Sequence, residues 1–276
     1  MTVLLLRAGR LAVDVDAHAG GSLARFAVDR ADILRPGRGV QGGCYPLVPY
    51  SNRIANGRFT FEGRDIVVPA NWRGLRHPMH GDGWARPWTV VRSGPAYAEI
   101  LYEHDGASGW PFRYEARQTF LLREHEFVAT IAIENREPRA VPAGLGLHPF
   151  FVRDPDSELF FHADEVWLAD AEVLPTRCVT VPEVWDFEQG RRPDDVALDN
   201  CFAGWNGRAT LGWPSRGLRL AVEASSPFRH VVVYTPPGQP FFCVEPVSHA
   251  NGAIGRTRLE AGATLAGVVS FKVLQT

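Results

Sequence analysis

Pro240-Phe241-Phe242-Cys243-Val244-Glu245-Pro246 runs four apolar residues straight into one carboxylate, with a proline at either end. Proline fixes φ and has no N–H to give to a ladder, so each one reads as a strand boundary. The stretch is therefore a short buried strand with Glu245 at its C-terminal end. A carboxylate there needs hydrogen bonds or a chemical task, because burying it unpaired costs several kcal/mol. Two readings stand at this point. Glu245 is either a reactive group or a glutamate capped by the turn Ser248-His249-Ala250-Asn251-Gly252 that follows.

The rest of the chain has the same period of two. Leu11, Val13 and Val15 alternate with Ala12, Asp14 and Asp16, and Gly20-Gly21 turns the chain into Ser22–Val28. Arg58–Phe61 and Ile66–Val68 flank Glu62-Gly63-Arg64-Asp65, a hairpin signal with glycine where a positive φ is required. Tyr114–Leu122 and Phe127–Glu134 flank another turn; Phe127, Ala129, Ile131 and Ile133 share one face, with Val128, Thr130, Ala132 and Glu134 on the other. Both faces are largely apolar, as in a sheet covered on both sides. No window of helical length carries an apolar stripe free of proline or glycine, and the 21 prolines and 27 glycines punctuate short segments throughout. No repeat, linker or low-complexity stretch divides the chain. The expectation is an all-β antiparallel sandwich, one domain over residues 1–276.

Composition excludes several function classes. A net charge of −2 gives no basic footprint for nucleic acid. No window approaches a membrane span, and Met1 to Arg7 lacks the basic n-region and apolar length of a signal peptide. The four cysteines have no metal-site spacing, and Cys44, Cys201 and Cys243 sit among apolar neighbours. That pattern fits buried thiols in a reducing compartment, so a cytoplasmic location is expected.

Four loops carry unusual chemistry. In Tyr45–Phe59, Asn52 and Arg53 bring two and five N–H donors to one place, which suits a hydroxyl-rich ligand; the alternative is that Arg53 pins the loop through backbone carbonyls. In His77–Trp88, His80 precedes Gly81, where the backbone can come close to a ligand, and Trp84 and Trp88 offer sugar-stacking platforms. His77-x-x-His80 is not a zinc motif, because Pro78 prevents helical i, i+4 geometry, so no metal is expected. In Ala143–Phe151, a glycine-spaced apolar strand ends in His148-Pro149, the same layout as Glu245-Pro246. In Leu198–Trp205, Asp199 lies between apolar residues and could accept hydrogen bonds from hydroxyls, although Asp-Asn is also ordinary turn chemistry.

Together these segments resemble the aldose 1-epimerase, or galactose mutarotase-like, family. The resemblance rests on Pro46-Leu47-Val48-Pro49-Tyr50-Ser51-Asn52-Arg53-Ile54 with the later Gly57-Arg58-Phe59, and on His80-Gly81 followed by Trp84 and Arg86-Pro87-Trp88. It rests also on Gly146-Leu147-His148-Pro149-Phe150-Phe151, on Leu198-Asp199-Asn200-Cys201-Phe202 and on Val244-Glu245-Pro246. The motifs keep the family's order across residues 45–252. The resemblance implies a large antiparallel supersandwich with its site in a cleft on one sheet. It implies Glu245 as general base and His148 as general acid, with Asn52, Arg53, His80, Asp199 and Phe150 around a sugar and no cofactor or metal. Asp82, between His80-Gly81 and Gly83, departs from members with a second glycine there and leaves the substrate open. Three readings follow: a mutarotase of a free aldose, a mutarotase of a hexose phosphate held by arginines among 53, 58, 73, 76 and 86, or a non-catalytic sugar-binding protein. A glycoside hydrolase would need a second carboxylate, Asp199 or Asp82, across the bond. A monomer or homodimer acting on a small sugar is expected.

Overall fold

The structure, a computed structural model, describes residues 3–72 and 74–274. Two large antiparallel sheets make up most of it. One runs Val3–Ala8, Leu11–Asp16, Ser22–Val28, Cys44–Leu47, Gly146–Val152, Phe241–Val247, His230–Tyr234, Asp199–Ala203, Glu165–Ala169, Pro175–Thr180, with Ala31–Asp32 added beside Ser22–Val28. The other runs Glu158–Phe161, Arg208–Trp213, Leu218–Ala224, Thr264–Leu274, Glu126–Asn135, Tyr114–Leu122, Tyr97–His104, Thr89–Gly94. Among the described residues the helical segments are three-residue 3₁₀ turns, and no helix is long and apolar enough to cross a membrane. The expected all-β sandwich is what forms.

The sheets meet through aromatic side chains. Phe26 of the larger sheet lies 5.4 Å from Phe127 and 5.9 Å from Phe271 of the smaller, and Phe151 lies 6.3 Å from Phe271. Each is essentially inaccessible, so cutting one back to alanine costs about 3–5 kcal/mol. The apolar core they join takes residues from Leu6 to Val273.

The strands at the middle of the larger sheet are buried on both faces. In Phe241–Val247, Phe242 and Val244 point into the inter-sheet core, while Phe241, Cys243 and Val247 join a second apolar cluster on the opposite face with Tyr45, Leu47, Phe150, Cys201, Val232 and Ala250. Continuous burial explains why this strand has no polar alternation in sequence. The smaller sheet differs. In Glu126–Asn135 the Phe127 face is buried, but the Val128 face is only half-buried and carries ion pairs such as Arg136–Glu134, so that sheet is covered on one side rather than two.

The prolines also behave otherwise than expected. Pro46, Pro149 and Pro246 lie inside strands, and neither Glu245 nor His148 is at a strand end. Gly146 pairs with Val247 and Phe150 with Cys243, with no partners recorded between. The ladder is open where Pro149 and Pro246 supply no N–H. Pro246 is tolerated because the strand on its other side, His230–Tyr234, still registers with it through Val231. The register on both sides of the gap sets His148 directly opposite Glu245. The Glu62-Gly63 hairpin forms with two turn residues, both at positive φ, and its second strand begins at Arg64, not Ile66.

Candidate active site

On the second face of the larger sheet, where those strands meet, lies a cavity of about 240 Å³. Val40, Tyr45, Asn52, Arg53, Trp72, Met79, His80, His148, Phe150, Asp199, Tyr234, Phe241 and Glu245 line it. All seven side chains expected from the sequence therefore surround one space.

His148 and Glu245 come from neighbouring strands and touch, His148 Nε2 to Glu245 Oε1 at 3.2 Å. The outer atoms of the pair, His148 Nδ1 and Glu245 Oε2, are buried and have no hydrogen-bond partner within the protein. The ring of His148 is held between Tyr45 and Phe150, both stacked on it at 4.6 Å. Ser248, which could have capped Glu245, instead accepts from Leu145 N–H, and His249 accepts from Ser51 N–H while donating to Ala250 O. The capping alternative for Glu245 fails, because its Oε1 meets His148 and its Oε2 has no partner in the protein, the turn included.

Burial dominates the electrostatics. It pushes Glu245 well above the usual carboxylate range, helped by the negative Asp199 and opposed by Arg53, and it pushes His148 down to about 3. Both shifts favour the neutral forms, a protonated Glu245 beside a neutral His148. That state holds one proton, as does the ion pair, so the two groups titrate as a unit. The general-acid role implied for His148 needs its imidazolium form, and here desolvation outweighs the neighbouring negative charge that would favour it.

The walls are built from strained backbone. Asn52 and His80 both have left-handed φ, 58° and 64°, uncommon for residues other than glycine. They hold each other: Asn52 N–H donates to His80 Nδ1 at 3.1 Å, and His80 N–H donates to Asn52 O at 3.0 Å. Because Nδ1 accepts, Nε2 carries the proton of the neutral ring and can donate to a ligand. Burial, then His148 and Arg53, keep His80 well below its ordinary pKa, so it stays neutral. Arg53 reaches Asp199 at 3.7 Å, an ion pair rather than the backbone contacts of the alternative reading. Burial holds the Asp199 carboxyl above its usual range, with Arg53 pulling the other way.

Several details of the His80 loop differ from expectation. Gly81 is needed at φ 68° because a Cβ there would sit 2.1 Å from Val48 O; the close approach is to the protein's own backbone. Trp88 is buried in the inter-sheet core and donates to Gly83 O, and Trp84 borders a separate 370 Å³ cavity, so neither lines this pocket. The aromatic walls are instead Trp72, Tyr45, Tyr234 and Phe241. Phe241 went unread although it shares parity with Glu245; Tyr45 enters by pairing opposite His148, a register only the fold shows. Trp72 and Tyr234 had no sequence signal, since only the fold brings them in. His77 accepts from Asn56 N–H, a structural role apart from His80. Asp82 faces away from the pocket and accepts from Tyr102 (2.6 Å), Tyr114 (2.5 Å) and His104 (2.9 Å), all on the smaller sheet, so it anchors the loop.

A sequence profile of the family described as aldose 1-epimerase matches residues 3–272. The chain belongs to the aldose 1-epimerase family. Among relatives of this epimerase-family chain, an uncharacterized Escherichia coli K12 protein, YphB, is 31% identical over 262 residues, covering 91% of this chain and 89% of that one. A crystal structure from Escherichia coli K12, provisionally named an aldose 1-epimerase, superposes with a TM-score of 0.93 at 30% identity over 100% of this chain and 99% of the other. A galactose 1-epimerase from Lactobacillus acidophilus shares the fold, with a TM-score of 0.81 at 17% identity over 97% and 92% of the two chains.

Proposed function

We propose that this chain is a mutarotase that interconverts the α and β anomers of an unphosphorylated aldose. The observation that carries the reading is the His148–Glu245 contact at 3.2 Å, with Nδ1 and Oε2 unpartnered, on the wall of a sugar-sized pocket rich in hydroxyl partners. Interconversion requires the ring to open. With the shared proton on His148, the Glu245 carboxylate takes the anomeric hydroxyl proton while His148 protonates the ring oxygen. The open-chain aldehyde turns about C1–C2, and the same two groups run in reverse. Each proton transfer contributes typically about 10²–10⁴-fold. Asn52, Arg53, His80 and Asp199 bind hydroxyls, and Phe150 works mainly by packing on His148.

A phosphorylated sugar fits the pocket less well. Of the arginines at 53, 58, 76 and 86, only Arg53 lines it, and Asp199 already neutralises that charge; Arg73 lies outside the described residues. The residues named come from one chain, so the chemistry needs no second copy. Buried, unpaired thiols at Cys44, Cys201 and Cys243 suit a reducing compartment.

Polarimetry of freshly dissolved α-anomers of several aldoses tests the proposal. Optical rotation should relax faster with the protein than without it, and His148→Asn should remove the acceleration. A folded protein that binds aldoses yet speeds none of them would make it a sugar-binding protein instead.

A further inference from the structure

Cys243 has no part in the mechanism above, yet it lies beside the catalytic pair. Its thiol, a ring nitrogen of His148 and a carboxylate oxygen of Glu245 all lie within 4.8 Å of one another, and all three residues are buried. Among the described residues this is the one such group of three His, Cys, Asp or Glu side chains. The geometry follows from strand parity. Cys243 and Glu245 are two apart and share a face, and Phe150 pairs with Cys243, which places His148 across from Glu245.

We infer that Cys243, His148 and Glu245 form an inhibitory site for a soft divalent cation of the zinc type, which excludes the sugar when occupied. Zinc takes thiolate, imidazole and carboxylate at about 2.0–2.3 Å, so ligand atoms on a tetrahedron stand roughly 3.3–3.7 Å apart. Nε2 and Oε1 already stand 3.2 Å apart, and the 4.8 Å limit leaves little more than an ångström of closure. His148 and Glu245 line the cavity and Cys243 lies behind them, so an ion held by all three would take both groups from the sugar. The charge balances: the thiol proton and the proton shared by His148 and Glu245 leave to solvent, and thiolate plus carboxylate neutralise the ion. Binding therefore releases up to two protons and tightens as pH rises. Magnesium and calcium, which require oxygen donors, should not compete.

Cobalt(II) added to the full-length, metal-free protein provides a readout besides activity. A thiolate-to-cobalt charge-transfer band should appear in the near ultraviolet and vanish in Cys243→Ser, with Cys243→Ala as a second variant should serine disturb the apolar cluster. Calorimetry with zinc chloride should give one ion per chain, bound at least tenfold more weakly by either variant. Zinc should inhibit mutarotation competitively with sugar, magnesium should not, and Cys243→Ser should keep its metal-free rate while resisting zinc. Cobalt binding without a thiolate band, or zinc binding unchanged in both variants, would place the ion elsewhere and overturn the inference. The inhibition rests on the mutarotase reading; the cobalt spectrum does not. A protein that shows the band but turns over no aldose would thus fail the first proposal and keep this one.

Discussion

His104 meets Asp82 at 2.9 Å and His148 meets Glu245 at 3.2 Å, two histidine–carboxylate contacts, the first part-buried and the second buried, that have opposite surroundings. In the first, polar atoms find partners: Asp82 accepts from Tyr102, Tyr114 and His104, and His104 Nε2 lies 2.7 Å from Trp110 O. Burial pulls His104 down, but Asp82 and the Trp110 carbonyl outweigh it, and its pKa is held above the ordinary value. In the second, two buried atoms have no partner, and desolvation, opposed only by a backbone hydrogen bond, takes His148 down to about 3. A satisfied pair is a clamp that fixes one protonation state. An unsatisfied pair has spare bonding capacity and a movable proton, which is what a substrate and its chemistry require.

Neutralising one carboxylate in each pair should separate the reactive contact from the clamp. Glu245→Gln should lower kcat by about 10²–10⁴-fold while the protein stays folded, since it removes a buried ionisable group and keeps the shape. Polarimetry and a denaturation curve measured together check this; retention of more than about a tenth of the wild-type kcat, roughly 1.4 kcal/mol of barrier or less, would falsify the base assignment. Asp82→Ala should show the inverse pattern. Removing one partner of a buried pair costs about 3 kcal/mol, because His104, Tyr102 and Tyr114 lose their common acceptor. The urea midpoint should fall markedly. The loop would also loosen around His80, so KM should rise more than kcat falls; an unchanged midpoint would mean that Asp82 does not hold the loop.

The sequence made one half of this comparison legible and hid the other. Each motif residue of the pocket could be named because it stands on a strand or loop whose parity or neighbouring proline drew attention to it. Glu245 and His148 were visible as ionisable groups in otherwise apolar strands. Their mutual register was not, because it depends on two ladders meeting across a gap. The prolines were read as strand ends because an isolated strand cannot show that a third strand takes over the pairing. Asp82 was noticed only as a departure from a pattern. Its partners lie 20, 22 and 32 residues away on the other sheet, and no local signal links them. The apolar outer positions of Glu126–Asn135 misled for a different reason: half-buried Ala132 lies among Glu115, Arg117, Glu134 and Arg136, whose long side chains cover it without a second layer.

Acid should separate the two histidine classes through stability. His80 and His249 are buried with lowered pKa values, to about 4 for His249, so below pH 6.5 the unfolded chain binds protons that the folded one refuses; His148 with Glu245 holds one proton folded as unfolded and adds no slope there. Stability therefore falls as pH drops from about 6.5 towards 4, by roughly 1.4 kcal/mol per pH unit for each histidine. His104 works the other way. Its raised pKa gives stability that is complete below about 6.5 and lost as pH rises through the folded value. Urea midpoints between pH 4 and 8 should fall on the acid side in the wild type, and His249→Gln should flatten that limb. An acid limb of unchanged slope would mean that His249 is not refusing a proton.

The smallest expected effect is the most specific to the reactive pair. Because the pair works with one proton, kcat/KM should hold a plateau, falling in acid when a second proton binds and in alkali when the one proton leaves. The alkaline edge lies high because burial and Asp199 both raise Glu245, while Arg53 opposes them. Asp199→Asn removes the negative charge and frees Arg53 from its partner, and both changes favour the ionised carboxylate. The alkaline edge should then move to lower pH by about half a unit, the scale of one partly screened charge. KM should rise a few-fold as a hydroxyl partner weakens, and the acid edge should stay nearly where it was. The same exchange at Asp82 should leave the alkaline edge in place, because the clamp does not touch the pair. An edge that moves with Asp82 and not with Asp199 would mean that the proton being lost belongs to the loop, and that the satisfied contact is the reactive one.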